Sequence, residues 1–205
     1  MKESAEKAMS DALKDWGIGL DASRWRLLEG YARDVLEHNR KTNLTAAKDR
    51  ETVLLRHILD GCAAVLALRG RLGAGARVAD LGAGAGFIGI GLKLAWPELD
   101  VTLLDSNYKK TCFLNLACAR LGLPGLHALQ ASAGEWRGGA FDAVVSRAVA
   151  PLDEAAGLTL PLVRPGGWAV LYQSQEACGP AVEQTVRYRL PGEDKDRCLI
   201  ILRRT

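Results

Sequence analysis

The sequence predicts an α/β fold, a mostly parallel β-sheet with helices on both faces, preceded by a helical extension. Three observations predict it. Past Arg69, short apolar runs bounded by turn residues alternate with stretches of helical periodicity, the pattern of βαβ units. One run passes straight into a glycine turn and then a helix, through Val78-Ala79-Asp80-Leu81-Gly82-Ala83-Gly84-Ala85-Gly86-Phe87. The first third of the chain, by contrast, carries helical periodicity alone.

In chain order, residues 21–41 place Trp25, Leu28, Ala32, Val35 and Leu36 on one helical face. Residues 52–67 do the same with Val53, Leu54, Ile58, Cys62 and Val65, and Asp49 is a candidate cap. Lys41-Thr42-Asn43-Leu44-Thr45 is a polar break between them, and residues 70–75 form a glycine-rich loop. Strands are predicted at 77–81, 101–105, 126–131, 141–147 and 167–172, with weaker ones at 186–190 and 198–203. Helices are predicted at 88–95, 108–121 and 152–162, with right-handed crossovers. The expected division is 1–70, a helical extension, and 71–205, one compact core. No internal repeat or low-complexity tract is present.

Composition narrows the class. Of 205 residues, 48% are apolar and 25% charged, as in an ordinary globular protein. No apolar run reaches the roughly 18 residues of a membrane span. Residues 1–10 are charged and have no apolar signal core, so a cytoplasmic protein without membrane association is expected. The net charge of +3 says little about partners, since a local patch can bind nucleic acid without a large total. Cys62, Cys112, Cys118, Cys178 and Cys198 include no CxxC pair, and are expected as small core residues in a reducing compartment. No metal site is expected.

The glycine loop is the first chemical signal. In such sheets ligands bind beyond the carboxyl ends of the strands, and glycines let a ligand approach the backbone without meeting a Cβ. Gly84-x-Gly86-x-x-Gly89 also satisfies the dinucleotide pattern. The next strand, Val101-Thr102-Leu103-Leu104, ends in Asp105, about 20 residues past the loop, where such folds place the carboxylate that binds ribose hydroxyls; a helix cap is the plainer alternative. NAD and S-adenosylmethionine both contain an adenosine that suits this layout. A dinucleotide needs a helix N-terminus open to a pyrophosphate and a second mononucleotide-binding half. The chain beyond residue 150 is short for such a half, and Asp80 before the glycines is unusual in a dinucleotide loop. Leu162-Val163-Arg164-Pro165-Gly166-Gly167 resembles the turn before the fifth strand of S-adenosylmethionine methyltransferases.

Four segments carry a more specific resemblance: Asn43-Leu44-Thr45 with Arg56-His57-Ile58-Leu59-Asp60; Asp80 through Ile90; Leu103-Leu104-Asp105-Ser106 with Lys109-Lys110 and Phe113-Leu114; and Phe141-Asp142-Ala143-Val144-Val145-Ser146-Arg147-Ala148-Val149-Ala150. In this order and spacing the sequence resembles the RsmG (GidB) family of bacterial 16S rRNA (guanine-N7) methyltransferases. The resemblance implies a Rossmann-like seven-stranded S-adenosylmethionine-dependent methyltransferase fold, acting on guanine 527 of that RNA, free or in the small ribosomal subunit. It implies that Gly82, Gly84, Gly86 and Phe87 contact the cofactor, that Asp105 binds its ribose, that Ala133 and Gly134 lie beside its adenine, and that Arg147 lines the same pocket. The chain departs from the family at Gln173-Ser174, where a Lys-Gly pair is usual, at Ala85, where proline is common, and at His38, where the family often has Trp.

The expected chemistry is an in-line displacement at a sulfonium methyl. Guanine N7 has an in-plane lone pair and no proton to lose, so positioning by the protein suffices and no strong base is needed. His38, His57 and His127 show no pairing with a nucleophile. Asn43, His57 and Arg147 are candidates to position the target base, although Asn43 can equally shape the interhelical turn, His57 a core contact and Arg147 a surface ion pair. Arg40, Lys41, Asn43, Arg56, His57, Lys109 and Lys110 are candidates for RNA contact, within a wider set of cations that includes Arg33, Lys48 and Arg50. No protein partner is evident, and a monomer is expected. Other readings are a small-molecule methyltransferase on the same fold, which would show a closed apolar pocket where an RNA enzyme needs an open, basic cleft mouth, an NAD-binding protein, and a non-catalytic binder.

Overall fold

Alternation of side chains along the strands builds two cores, one on each face of a single sheet. The strands are β1 (Arg77–Leu81), β2 (Asp100–Asp105), β3 (Leu126–Gln130), β4 (Phe141–Ser146), β5 (Val163–Gln173), β6 (Val182–Tyr188) and β7 (Arg197–Arg203) in the computed structural model, which describes residues 4–147, 151–175 and 181–205. Cys178 and Ala148-Val149-Ala150 of the fourth resemblance segment lie outside the described residues. Among the described residues the strands form a seven-stranded sheet of order β3-β2-β1-β4-β5-β7-β6. The first five pair in parallel, and β7 runs antiparallel to both β5 and β6. Val78, Val101, Leu103, Ala143, Val145, Val170 and Leu199 point into the larger core, while Ala79, Leu104, Val144, Ala169, Leu171 and Ile200 point into the smaller one.

The larger core is covered by α1 (Ala5–Asp15), α2 (Ala22–Thr42), a composite helix, α6 (Phe87–Ala95) and α7 (Tyr108–Leu121). The smaller is covered by α8 (Leu152–Thr159) with the short 3-10 turn Leu160–Leu162. The helices between Ala5 and Leu68 therefore share one hydrophobic core with the sheet. No helix among the described residues is long and apolar enough to cross a membrane.

Most predicted elements fall within a residue or two of the observed ones, and the departures have physical causes. The Pro165-Gly166-Gly167 turn lies inside β5 rather than ahead of it: pairing jumps from Phe141↔Val163 to Ala143↔Trp168, and the extra residues are absorbed as a bulge. Strand β6 begins earlier than predicted because it is a half-exposed edge, where apolar runs are a poor guide. Helix α1 was not predicted as an element, since its buried face rests on alanines around Met9 and Leu13. Cys112 is exposed on the outer side of α7, against the expectation of a core residue, while Cys62 and Cys198 are buried. Burial pushes the Cys62 thiol up to about 12, so it is inert.

The predicted helix over 52–67 is composite. It consists of α3 (Arg50–Thr52), a π-helical segment Val53–Ile58, α4 (Leu59–Cys62) and α5 (Ala64–Leu68), started by Asp49, whose carboxylate accepts from Thr52 N at 2.8 Å. It is buried almost all round rather than along one stripe, with only Arg56 and His57 half-exposed between Val53 and Ala64. It crosses α6 at backbone contact, where two glycines remove the side chains that would hold the helices apart. A Cβ on Gly61 would sit 2.1 Å from the Phe87 carbonyl oxygen, and one on Gly91 would sit 2.8 Å from that of Ile58. Gly61→Ala is expected to destabilise the fold by about 3 kcal/mol or more in denaturant melts, because backbone must move. Gly19→Ala, where no atom lies within 4 Å of the added carbon, should stay within about 0.5 kcal/mol of the parent.

Candidate functional site

The loop after β1 is held by its own backbone. Gly82 N and Ala83 N both donate to Leu104 O at the end of β2 (2.8 and 2.9 Å), and Gly86 N donates to Ala83 O (2.7 Å). Gly84 N donates to the Asp105 carboxylate and Gly89 N to the Asp80 carboxylate, each at 2.8 Å. Tyr31 of α2 reaches in to donate to Ala85 O at 2.6 Å. The glycines divide into two kinds. Gly82 and Gly84 adopt positive φ (71° and 60°) and face open space: no atom of the protein comes within 4 Å of a Cβ on Gly82, and the nearest to one on Gly84 is 3.9 Å away. Gly86 and Gly89 turn inward, where a Cβ would collide with Leu114 and Ile90, or with Leu103.

Two acids flank this loop. Asp105 is buried at the tip of β2 and accepts from Gly84 N and Asn107 N, both at 2.8 Å. It is not the cap of α7; that role falls to Asn107, which accepts from Lys110 N. Ala131 N donates to Asp105 O (3.2 Å), which brings the turn containing Ala133 and Gly134 next to Asp105. Asp80 is buried beneath the loop, and desolvation pushes its carboxyl up to about 7 despite the Gly89 N–H and the Arg147 charge.

On the other side of the loop stands Phe87, the first residue of α6. The His57 ring stacks on it at 4.5 Å and 11°, and the Arg147 guanidinium lies over it at 5.9 Å. Burial, with Arg147 nearby, lowers His57 to about 4, so it is neutral at physiological pH. Its Nε2 faces Thr45 Oγ1 at 3.3 Å. Arg147 is exposed, and its side chain pairs with the fully buried Asp60 at 2.9 Å. Asp60 also pairs with Arg197 (3.1 Å) and accepts from Tyr188 Oη (2.5 Å), while Tyr172 Oη donates to the Asp60 and Gly61 carbonyls (3.2 Å each). Arg197 clasps Glu193 through two bonds, and Glu193 also pairs with Arg56 at 2.7 Å. This network walls a cleft of about 620 Å³ at the carboxyl ends of β4 and β5, lined also by Gln173 and Ser174.

Sequence reasoning singled out neither Asp60 as a charge centre nor Tyr31, Tyr172, Tyr188, Glu193 and Arg197. An acid in the middle of an otherwise apolar helical stretch was the available signal for Asp60. The cations sort into two sets. Arg56 is held by Glu193, and Arg50 by Glu29 at 2.9 Å. Arg40, Lys41, Lys48 and Lys109 are exposed, and Lys110 is half-exposed. Helix α2 runs antiparallel to α7, with Asp34 paired to Arg120 and His38 against Phe113 (5.1 Å). Arg40 and Lys41 at the end of α2 therefore approach Lys109 and Lys110 at the start of α7, on the edge that carries the glycine loop. Asn43 ends α2 in the left-handed conformation (φ 49°) and is exposed; the turn after it is tied by the Asn39 amide to Thr45 and Ala47.

The family model GidB, described as rRNA small subunit methyltransferase G, matches residues 24–196. The chain is 35% identical over 210 residues to "Ribosomal RNA small subunit methyltransferase G" of Moorella thermoacetica, covering 93% of this chain and 86% of that one. It is 44% identical over 161 residues to the protein of the same name from Halorhodospira halophila, covering 78% and 75%. Among solved structures, a methyltransferase from Pyrococcus furiosus superposes with TM-score 0.55 at 12% identity, covering 84% of this chain and 95% of that one, and shares the fold. The fold is thus the Rossmann-like methyltransferase fold.

Asp80 yields a test of the buried electrostatics. Its raised pKa means that the folded state holds the proton more tightly than the unfolded chain does. The stability this gives is complete below about pH 4 and is lost as pH rises through about 7. Against Asp80→Asn, the native protein should lose up to about 1.4 kcal/mol per pH unit within that window. Denaturant melts of both proteins between pH 4 and 8 measure the difference, and parallel profiles would show that Asp80 is ionised throughout.

Proposed function

The chain belongs to the rRNA small subunit methyltransferase G family and is an rRNA methyltransferase, and from that premise we propose that it transfers the methyl group of S-adenosylmethionine to N7 of a guanine in 16S rRNA. The observation that carries the choice of donor is the glycine loop with its two acids. The N–H groups of Gly82, Ala83, Gly84, Gly86 and Gly89 all donate within the protein, so these N–H groups are not free to cradle the pyrophosphate of a dinucleotide. The Asp105 carboxylate at the loop repels such an anion and suits a cation. The backbone of Gly82 and Gly84 lies open to a ligand, with the Asp105 carboxylate beside it. The residues present thus fit S-adenosylmethionine.

In this reading Gly82 and Gly84 lie against the cofactor, Asp105 accepts from its ribose hydroxyls, the Ala133-Gly134 turn borders the adenine, and Phe87 and Arg147 mark the side from which the acceptor enters. When bound, the cofactor supplies an activated methyl on a cationic sulfur. The protein's share is alignment. N7 carries no proton, so no base is required of His57, which is neutral and stacked. Arg147, fixed by Asp60, offers donor-only N–H groups to the acceptor cleft. The walls of that cleft are charged, as distinct from the closed apolar pocket of an enzyme acting on small apolar molecules. Its charges are balanced rather than basic; the cations for RNA phosphate are Arg40, Lys41, Lys48, Lys109 and Lys110, with residues 1–70 supplying most of the RNA-facing surface.

The test is methylation with labelled S-adenosylmethionine, offering small ribosomal subunits, naked 16S rRNA and a panel of small molecules. Label is expected in RNA, at N7 of one guanine; label only in a small molecule, or none in either RNA, refutes the proposal. Asp105→Ala should weaken cofactor binding by about 10- to 100-fold and leave RNA binding within about threefold. Calorimetric titration showing unchanged cofactor affinity would mean that the ribose lies elsewhere.

A further inference from the structure

The acceptor cleft contains a buried donor that its ion-pair network leaves unmatched. Gln173 is the last residue of β5, opposite Cys198 of β7. Its amide Nε2 is buried and has no hydrogen-bond partner among the described residues, although a glutamine amide carries two donors. Asp60, Tyr188, Glu193 and Arg197, which share the cleft wall, are already bonded to one another. An orphaned donor in the wall of a cleft of about 620 Å³, ample for a nucleotide base, calls for an acceptor on the ligand.

Register fixes where that acceptor lies. Strands β4 and β5 are parallel neighbours with Ser146 opposite Leu171. Arg147 therefore emerges at the level of Tyr172, and Gln173 one residue further along the adjoining strand, roughly 6 Å away; alternation starts the two side chains on opposite faces of the sheet, and they meet as walls of one cleft at the strand ends. Arg147 in turn lies over Phe87, which follows the glycine loop. The order along the carboxyl edge of the sheet is glycine loop, Phe87, Arg147, Gln173. N7 and O6 share one edge of guanine, so a base with N7 turned to the methyl-donor side carries O6 along the same edge of the cleft.

We propose that Gln173 holds the acceptor guanine by donating its side-chain N–H to O6. This rests on the function proposed above. The amide turns toward the base about its terminal torsion, a soft rotation for glutamine, and the bond satisfies a donor that is otherwise unpaired.

The experiment is a double-mutant cycle between side chain and base. RNA is prepared with the mapped guanine either intact or replaced by 2-aminopurine, which keeps N7 but lacks O6. The native protein is compared with Gln173→Met, similar in length and without a donor, and with Gln173→Glu, an acceptor-only isostere. The native protein should lose roughly 10- to 30-fold in kcat/KM on the 2-aminopurine RNA. Gln173→Met should lose about as much on the guanine RNA and less than about threefold more on the analogue, with S-adenosylmethionine affinity unchanged by calorimetry. Gln173→Glu should lose at least as much as Gln173→Met on guanine. Native-like rates for Gln173→Met on guanine, or losses that multiply in the cycle, would overturn the assignment. If the native protein labels no RNA at all, the proposed function fails and this inference with it.

Discussion

A carboxylate with no solvent must be surrounded by partners, and the site is organised around that requirement. Asp60 is fully buried, and an ionised carboxylate in such a place is tolerable only when its lone pairs are met by charge and hydrogen bonds. Its partners come from distant parts of the chain: Arg147 after β4, Arg197 at the start of β7 and Tyr188 at the end of β6. Tyr172 of β5 secures the backbone of the same turn through the Asp60 and Gly61 carbonyls. One buried acid thus fixes where the composite helix meets the carboxyl ends of β4, β5 and β6 and the start of β7. That is also where a ligand-binding sheet of this class presents its chemistry.

The same acid decides how Arg147 behaves. An exposed arginine on a strand tip would ordinarily sample many rotamers, and ordering a long side chain costs conformational entropy. With one nitrogen at 2.9 Å from Asp60 and the guanidinium over the Phe87 ring, much of that freedom is already spent in the folded protein. Ion pairing with Asp60 and contact with the edge of the glycine loop are therefore one arrangement, not alternatives. Further out, Glu193 shares its charge between Arg197 and Arg56, so the β6–β7 connection is tied to the π-helical segment across the cleft. Two carboxylates and three guanidiniums close this network.

The parts of this structure that were legible in the sequence are those set by local pattern. Strand β1, the glycine loop and helix α7 follow from apolar runs, glycine and capping chemistry within a few residues of one another, and Asp105 lies where strand spacing puts it. The bulge in β5 depends on pairing with β4 and is invisible locally. The π turn at Val53–Ile58 has no breaker residue to announce it. The Asp60 partners were unreadable for the same reason. They lie 87 to 137 residues away along the chain, and no spacing rule joins residues across a sheet of crossed order. Asn43 was legible as a former of the interhelical turn, and it ends α2 in the left-handed conformation.

What the geometry separates is as telling as what it gathers. The polar groups nearest the glycine loop are acids spent on backbone N–H groups, a tyrosine bonded to the Ala85 carbonyl, an arginine held by Asp60 and a histidine whose proton affinity burial has suppressed. A reaction that had to remove a proton at neutral pH would want a histidine near 7 in that position, free to exchange with solvent. Here the ring nearest Phe87 is packed flat against it, and its Nδ1 has no hydrogen-bond partner among the described residues. The exposed cations sit apart, at the α2 and α7 termini on the same rim, where they can hold a polyanion without placing charge against the developing bond. An acceptor atom with its lone pair already available, on a ligand gripped by its phosphates and presented by one of its bases, is the substrate for which such a division costs least.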